Sequence, residues 1–362
     1  MHQKLNDCID LLWQKDLPFV AYRLPQQNDI SIIAQLTPKV RSFDLKGIED
    51  VSGFVIAPFE SAKTQKAYLL KPDVVIDSIV EVAKIEKIKS LPNKLSNNKI
   101  VNKIWAKETY LEKANTVIND LKNKKLPKLV LSRVIEKKLQ HDFDPGDTYA
   151  NLNDRYADSF NYIFHLPEIG SWIGASPETF LRISKSYVET MSLAGTKPID
   201  NIDWTAKEIE EQAIVTDFIK NQLEGLNIIN YSVQGPKTLK AGNVGHLSTK
   251  FMIPIQDLQN KTGELVGALH PTPAVCGMPQ QAAYENILQI EAHDRKFYTG
   301  FLGPWQLNGQ SELFVNLRCA EFNRTALHLF VGGGLTSSSV AESEWEETEY
   351  KSKTLLAITE NF

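Results

Sequence analysis

The amino-acid sequence predicts an α+β fold in which most of the β-sheet is antiparallel. Strand-like segments arrive in pairs: residues 162–166 and 171–175 flank a turn, and residues 313–318 and 326–331 flank a polar turn at Asn323. Helical patterns lie between these pairs. A doubly wound parallel sheet is disfavoured, because the regular alternation of strand, helix and strand is missing.

The individual elements follow from periodicity and local composition. A helical stretch from about residue 101 leads into an apolar, strand-like run at 128–135. Residues 204–223 carry apolar side chains at helical spacing, and residues 343–357 form a closing helix with a polar face. A lysine-rich segment at 84–103 predicts a boundary between an N-terminal portion and the longer remainder of the chain. We expect residues 1–100 to form an N-terminal part of the fold and residues 101–362 the main domain, together one structural domain.

Composition excludes several classes of protein. The chain has 362 residues, 42% of them hydrophobic, and a formal net charge of -4, which is typical of a soluble protein with a large core. It lacks an apolar run of about 20 residues, and its polar start is unlike a secretory signal. Three scattered cysteines favour a reducing cytoplasm over a disulfide framework. Without a basic stripe, neither nucleic acid nor membrane is expected as a partner.

Paired glutamates on two predicted helices are the most informative polar feature. Glu208 and Glu211 are three residues apart, so they project from one helical face. Glu344 and Glu347 repeat this spacing on the last helix. Carboxylates with room for water suit Mg²⁺. The same pattern also occurs on ordinary solvated helix faces, so spacing alone leaves both interpretations open.

Other residues are candidates by position. Lys128 begins an apolar strand, where partial burial would lower the pKa of the amine and make it a base, although most lysines in this position simply mark the end of a strand. Glu178 follows a turn beside a strand and would be a general acid if it were shielded from water. Arg318 is placed inside a strand, where a half-buried guanidinium needs an anionic partner. The Gly332–Gly334 run predicts either a sharp turn or an anion-binding backbone. His246 is interpreted as a hydrogen-bonding core histidine.

In this order, these segments resemble the chorismate-utilising enzymes, which include isochorismate, salicylate, anthranilate and aminodeoxychorismate synthases. The resemblance spans residues 101 to the C-terminus. It rests on ordered motifs: Lys128-Leu-Val-Leu-Ser-Arg133, Ile173-Gly-Ala-Ser-Pro-Glu178, Leu193-Ala-Gly-Thr196, Leu269-His-Pro-Thr-Pro-Ala274, Val331-Gly-Gly-Gly334 and Glu344-Trp-Glu-Glu-Thr348. It implies the aminodeoxychorismate synthase-like fold, in which two large antiparallel sheets face each other between flanking helices.

The resemblance also implies a binding site for Mg²⁺ and chorismate. Glu211 and Glu347 would bind Mg²⁺ directly. Glu208 and Glu344 would assist through water. The residues that match substrate-binding positions of the family are Gly195, Thr196, His246, Ala274, Tyr298, Arg318, Gly332, Gly334 and Lys351.

Two positions indicate the branch of the family. Lysine at position 128 matches members that use water as nucleophile, with Lys128 as base and Glu178 as acid. Ala274 followed by Val275 is similar to isochorismate synthases, whereas salicylate synthases carry threonine at the first of these positions. We therefore expect a cytoplasmic, monomeric isochorismate synthase without a glutaminase subunit, serving menaquinone or siderophore synthesis. A salicylate synthase or a non-catalytic chorismate-binding relative remains the alternative.

Overall fold

The structure is a computed structural model, and it describes residues 2–77, 82–94, 99–123, 126–198, 202–241, 244–258 and 260–359. The strands, in chain order, are β1 (Phe19–Arg23), β2 (Ser31–Ala34), β3 (Arg41–Asp44), β4 (Gly53–Ala57), β5 (Lys66–Leu70), β6 (Val74–Ile76), β7 (Lys128–Lys138), β8 (Phe160–Leu166), β9 (Gly170–Ser176), β10 (Thr179–Ile183), β11 (Tyr187–Pro198), β12 (Ser232–Ala241), β13 (Val244–Pro254), β14 (Gly277–Met278), β15 (Phe301–Trp305), β16 (Ser311–Val315), β17 (Cys319–Phe322) and β18 (Ala326–Leu335).

The helices lie around these strands. In chain order they are α1 (His2–Gln14), α2 (Ser61–Thr64), α3 (Val82–Lys89), α4 (Lys107–Lys122), α5 (Pro145–Arg155), α6 (Ala206–Gly225), α7 (Ile255–Leu258), α8 (Thr262–Leu269), α9 (Gln280–Ile290) and α10 (Ala341–Leu356), with 3-10 turns at Leu45–Asp50 and Ala357–Thr359. Over the described ranges, none of these helices combines the length and apolarity needed to cross a bilayer.

Within the described residues, the strands form two nine-stranded sheets. The first has the order β14-β7-β18-β17-β9-β8-β1-β2-β6, and the second has the order β12-β13-β11-β10-β16-β15-β4-β5-β3. Neighbouring strands pair antiparallel throughout. The prediction of an α+β fold built from two large antiparallel sheets is confirmed. Strands from the first hundred residues enter both sheets.

A largely aromatic core joins the two sheets face to face. Phe160 of β8 stacks on Phe314 of β16, with ring centroids 4.1 Å apart and planes 2° from parallel. Phe54 of β4 packs against the same Phe160 from the second sheet. Separate apolar clusters cover the outer faces: α6 and α8 pack on the second sheet, and α1 and α5 pack on the first. The helices are therefore held by burial of one face, as their sequence periodicity predicts.

Several sequence-based element predictions are confirmed. The hairpin of β8 and β9 pairs in register from Phe160 opposite Ser176 to Leu166 opposite Gly170. The helix predicted at 204–223 is α6, which begins after Thr205; the Glu208 carboxylate accepts hydrogen bonds from the Thr205 backbone N–H and hydroxyl group at 2.8 and 2.6 Å. The helix expected from about residue 101 begins later, at Lys107.

The prediction that residues 313–318 and 326–331 are two strands joined by the turn at Asn323 is wrong. β16 belongs to the second sheet and ends at Val315, and the turn at Asn323 joins β17 to β18 in the first sheet. Arg318 is not inside a strand. It lies in the crossover between the sheets with φ of 47°, a left-handed conformation that is uncommon for a residue with a side chain.

The glycine run is also not a turn. Gly332, Gly333 and Gly334 lie within β18, opposite Ser132, Leu131 and Val130 of β7. Glycine is unfavourable in a strand unless another group approaches the backbone closely. That approach is made here by side chains of α10 and β7, which form part of the candidate site.

Candidate active site

A cavity of about 1080 Å³, including its mouth, lies beside the C-terminal half of β18. Apart from Thr196 and Glu344, every predicted site residue lines it: Lys128, Glu178, Gly195, Glu208, Glu211, His246, Ala274, Tyr298, Arg318, Gly332, Gly334, Glu347 and Lys351. The side chain of Thr196 lies outside the described part of the structure. Glu344 is buried next to the cavity, beside Gly333.

Lys128 and Glu178 are both buried, with 2% and 4% of their surfaces exposed. Burial lowers the pKa of Lys128, although nearby carboxylates, Glu211 first, oppose the effect. Burial raises the pKa of Glu178 to about 8, and the charges of Lys128 and Lys351 only partly offset it. Burial thus favours the neutral form of each group, a neutral amine and a protonated carboxyl group.

Three of the four paired glutamates line the cavity from α6 and α10, and Glu344 lies next to it. If Gly333 carried a Cβ, this atom would lie 3.1 Å from Glu344 Oε2 and 3.6 Å from Glu347 Oε1. A Cβ on Gly334 would lie 3.9 Å from Glu211 Oε1. Glycine at these positions therefore lets carboxylates from both helices approach the same stretch of strand.

The carboxylates already have partners that order them. Glu208 accepts hydrogen bonds from Thr205, pairs with Lys197 at 3.1 Å and has a lowered pKa, because these partners outweigh the effect of burial. Lys351 Nζ pairs with Glu347 Oε1 at 2.6 Å and donates a hydrogen bond to the Gly332 carbonyl at 2.9 Å. The negative side of the cavity is thus held in place by lysines.

His246 and Gly195 form a second wall. Gly195 has φ of 69°, and a Cβ there would lie 3.0 Å from Glu208 Cγ, so the position requires glycine for both reasons. His246 Nδ1 lies 3.0 Å from the Gly195 carbonyl oxygen. A carbonyl only accepts, so the proton is on Nδ1. Burial lowers the pKa of His246 to about 4, which keeps the ring neutral at neutral pH.

Arg318 and Tyr298 also line the cavity. Burial lowers the pKa of Arg318, and its backbone carbonyl accepts a hydrogen bond from Ala175 N at 3.1 Å. The Tyr298 hydroxyl group lies against Gly332, 2.9 Å from where a Cβ would be. A partly buried guanidinium that opens onto a cavity is suited to an anionic ligand.

The donor set is compatible with Mg²⁺, although the part of the chain that the structure describes forms no preformed cage. Among the described residues, no group of three or more histidine, cysteine, aspartate or glutamate side chains is arranged to hold a metal ion. Mg²⁺ is commonly bound through one or two carboxylates and several waters. Oxygen ligands that converge on the strand at Gly333 fit this chemistry.

The sequence comparison decides the family. A sequence model described as "Chorismate binding enzyme" matches residues 60–360. The chain belongs to the chorismate-binding enzyme family. The match starts well before residue 101, within the segment that supplies β5 and β6 to the sheets.

Named relatives of this chorismate-binding enzyme include isochorismate synthases. The chain is 30% identical over 261 residues to the vibriobactin-specific isochorismate synthase of Vibrio cholerae, covering 69% of this chain and 66% of that protein. It is 35% identical to isochorismate synthase DhbC of Bacillus subtilis, over 51% of this chain and 49% of that one. The chain therefore aligns with about half to two thirds of these relatives' lengths.

A solved structure supports the fold. A putative 2,3-dihydroxybenzoate-specific isochorismate synthase, DhbC from Bacillus anthracis, superposes with a TM-score of 0.79, covers 99% of both chains and is 24% identical. At this identity, the likeness shows the fold alone.

Several lining residues of the chorismate-binding enzyme were missed by sequence reasoning. Val130 lies two residues after Lys128, so strand alternation places both side chains on one face of β7. Strand alternation could therefore have predicted Val130 as a lining residue. Phe330 lies two residues before Gly332 on β18, so the same alternation indicates it. Thr299 and Leu317 also line the cavity. Leu317 lies in the crossover between the two sheets and Thr299 lies just before β15, so no local pattern indicates either residue.

Proposed function

We propose that the protein is an isochorismate synthase, which isomerises chorismate to isochorismate by adding water at C2 and removing the hydroxyl group at C4. The observation that carries the proposal is the joint burial of Lys128 and Glu178 in one cavity, with pKa values moved in opposite directions. The named isochorismate synthase relatives support this branch.

Lys128 acts as the general base. Its neutral amine accepts a proton from water as the water oxygen bonds to C2. The lowered pKa supplies the neutral form, and the charge that the amine gains is stabilised by the neighbouring Glu211. Ammonia needs no such base, so a lysine here fits water as the nucleophile.

Glu178 acts as the general acid. As the new C2–O bond forms, the ring double bonds shift and the C4–O bond breaks, with Glu178 donating its proton to the departing hydroxyl group. The C4 oxygen leaves as water, so one water enters and one leaves. Lys128 ends protonated and Glu178 ionised, and return of the proton through solvent resets the pair.

The two substrate carboxylates bind at opposite ends. Arg318 and Tyr298 hold the enolpyruvyl carboxylate, and the backbone N–H groups of Gly332 and Gly334 add donors along β18. Lys351 lies close enough to contact the substrate while keeping Glu347 in place. Gly195, His246 and Ala274 form the wall around the ring.

The ring carboxylate faces the glutamates, where Mg²⁺ would neutralise its charge. We assign direct binding of Mg²⁺ to Glu211 and Glu347. Glu208 and Glu344 would orient the metal-bound waters. Without a cation, this wall would repel an anionic substrate, because the carboxylates outnumber the nearby lysines.

Incubation of purified protein with chorismate and Mg²⁺, with an EDTA control and product analysis by chromatography and mass spectrometry, tests the proposal. Isochorismate that disappears with EDTA, and that is lost in folded Lys128→Ala and Glu178→Gln variants, is the expected result. Salicylate with pyruvate would assign the salicylate synthase branch instead. Absence of turnover would leave a chorismate-binding protein without the activity.

A further inference from the structure

A buried ion pair lies behind the cavity wall. Glu291 and Arg295 are joined by two hydrogen bonds, from Arg295 Nε to Glu291 Oε2 at 2.8 Å and from Nη2 to Oε1 at 2.6 Å. Their side chains are 1% and 2% exposed. A buried pair often contributes no more stability than apolar residues of similar size, because both ions lose their hydration. Stability is therefore a weak explanation for a pair in this position.

The remaining donors of Arg295 hold two cavity-lining segments together. Nη1 donates to the Val275 carbonyl at 2.8 Å, and Nη2 donates to the Val130 carbonyl at 2.9 Å. Val130 follows Lys128 by two residues on β7, and Val275 follows Ala274. One planar guanidinium thus bridges the strand that carries the proposed base and the loop that leads into its neighbouring strand, β14.

Glu291 adds a second attachment to the same strand. Its Oε1 accepts hydrogen bonds from Ser132 N at 2.7 Å and from Ser132 Oγ at 2.9 Å. Ser132 lies opposite Gly332 in the β7–β18 register. The pair therefore fixes β7 at Val130 and Ser132, directly after Lys128 and beside the glycine run.

We propose that the Glu291–Arg295 pair positions the reaction components, setting the distance between Lys128 and the Ala274–Val275 wall of the cavity. This inference rests on the proposed isochorismate synthase activity. Neither side chain lines the cavity, so both are positioning residues rather than catalytic ones. Lysine cannot replace Arg295 in this role, since a single ammonium lacks the planar fork that bonds two carbonyls and a carboxylate together.

Two variants test the inference. Arg295→Lys keeps the charge and removes the fork. The double variant Glu291→Gln with Arg295→Met keeps a hydrogen-bond acceptor for Ser132 and leaves no unpaired buried charge. It should therefore fold, whereas a variant that loses only one of the two charges would leave the other buried without a partner. Arg182→Lys is the matched control, because Arg182 pairs with Glu312 at 2.9 Å and is 40% exposed.

Turnover gives the first readout. In both variants, we expect kcat to fall by about tenfold to a hundredfold, with the KM for chorismate within about threefold of wild type, because a small displacement of the base costs rate more than binding. The Arg182→Lys control should keep the wild-type kcat. A folded Arg295→Lys enzyme with unchanged kcat would overturn the inference.

The three cysteines give a second readout that does not depend on activity. Cys8, Cys276 and Cys319 are all free and buried, and Cys276 directly follows Val275. Loss of the fork should raise the rate at which a thiol reagent modifies Cys276 by about tenfold, while Cys8 and Cys319 stay protected. Equal exposure of all three would indicate general unfolding and contradict a local role.

The two readouts separate this inference from the proposed function. If wild type fails to convert chorismate, the proposed function fails, and Cys276 protection alone decides whether the pair holds the wall. If wild type is active and both variants keep its kcat and Cys276 protection, the positioning role is wrong and the function stands.

Discussion

Lys351 Nζ donates a hydrogen bond to the Gly332 carbonyl oxygen at 2.9 Å, which ties the last long helix to the strand at the floor of the cavity. The same ammonium pairs with Glu347 at 2.6 Å. A single lysine therefore connects the backbone that would bind the substrate with a carboxylate that would bind the cation.

Replacement of Lys351 tests this connection. In Lys351→Met, we expect the KM for chorismate to rise by about tenfold, because a charge-assisted hydrogen bond of about 1.5–3 kcal/mol is lost next to an anionic substrate. The Mg²⁺ concentration for half-maximal activity should stay the same or fall, since Glu347 loses a competing cation. Steady-state kinetics measure both. Lys353→Met, a change of an exposed lysine on the same helix, is the control.

A methyl group at Gly334 should displace the proposed base. The added Cβ would lie 3.0 Å from Lys128 Cε and 3.5 Å from Nζ. We expect Gly334→Ala to lower kcat by about tenfold to a hundredfold, with little change in melting temperature. Gly225→Ala is the control, because no atom beyond its chain neighbours and the backbone of its own helix lies within 4 Å of its added Cβ. Equal kcat in the two variants would contradict the placement of Lys128.

The pH dependence of activity should report Glu178. Its pKa is raised to about 8, so the carboxyl group is protonated below that pH and available as an acid. We expect kcat/KM to decline above about pH 8 as the proton is lost. A profile measured from pH 6 to 10 at saturating Mg²⁺ checks this. A profile that stays flat to pH 10 would exclude Glu178 as the titrating acid.

The same group should make stability depend on pH. The folded-state pKa of Glu178 exceeds the ordinary value of 4.5, so folding favours the protonated form. Its contribution is complete below about pH 4.5 and is lost as pH rises through about 8. We expect Glu178→Gln to remove this decline, giving roughly 3–5 kcal/mol more stability than wild type at pH 9. Urea unfolding of the metal-free protein across this range is the measurement, and a matching decline in both proteins would contradict it.

Most of the site was predictable from the sequence, because its residues fall in short motifs whose order is characteristic of the family. Lys128, Glu178 and Glu211 line one cavity as that resemblance implies. The glycine run was harder to interpret, because glycine weakens any local strand signal. Only its pairing with β7 makes it a strand.

Long-range connections were the part that local patterns did not reveal. Residues 313–318 begin with an apolar, strand-like run, but the chain leaves the second sheet after Val315 and enters the first at Cys319. The Glu291–Arg295 pair is likewise four residues apart in sequence, which is typical of any exposed helical pair. Its burial depends on β7 and the loop at Val275, and both are distant in the chain.

The placement of the N-terminal strands limits how this chain can be shortened. β1 pairs with β8 in the first sheet, and β4 pairs with β15 in the second. Removing residues 1–100 would strip a partner from each sheet and leave two long, apolar strand edges open to other molecules. Such a fragment would contain every proposed catalytic residue, yet it should aggregate rather than work as a minimal enzyme. A shortened version of this enzyme should therefore keep the strands that residues 1–100 supply to both sheets.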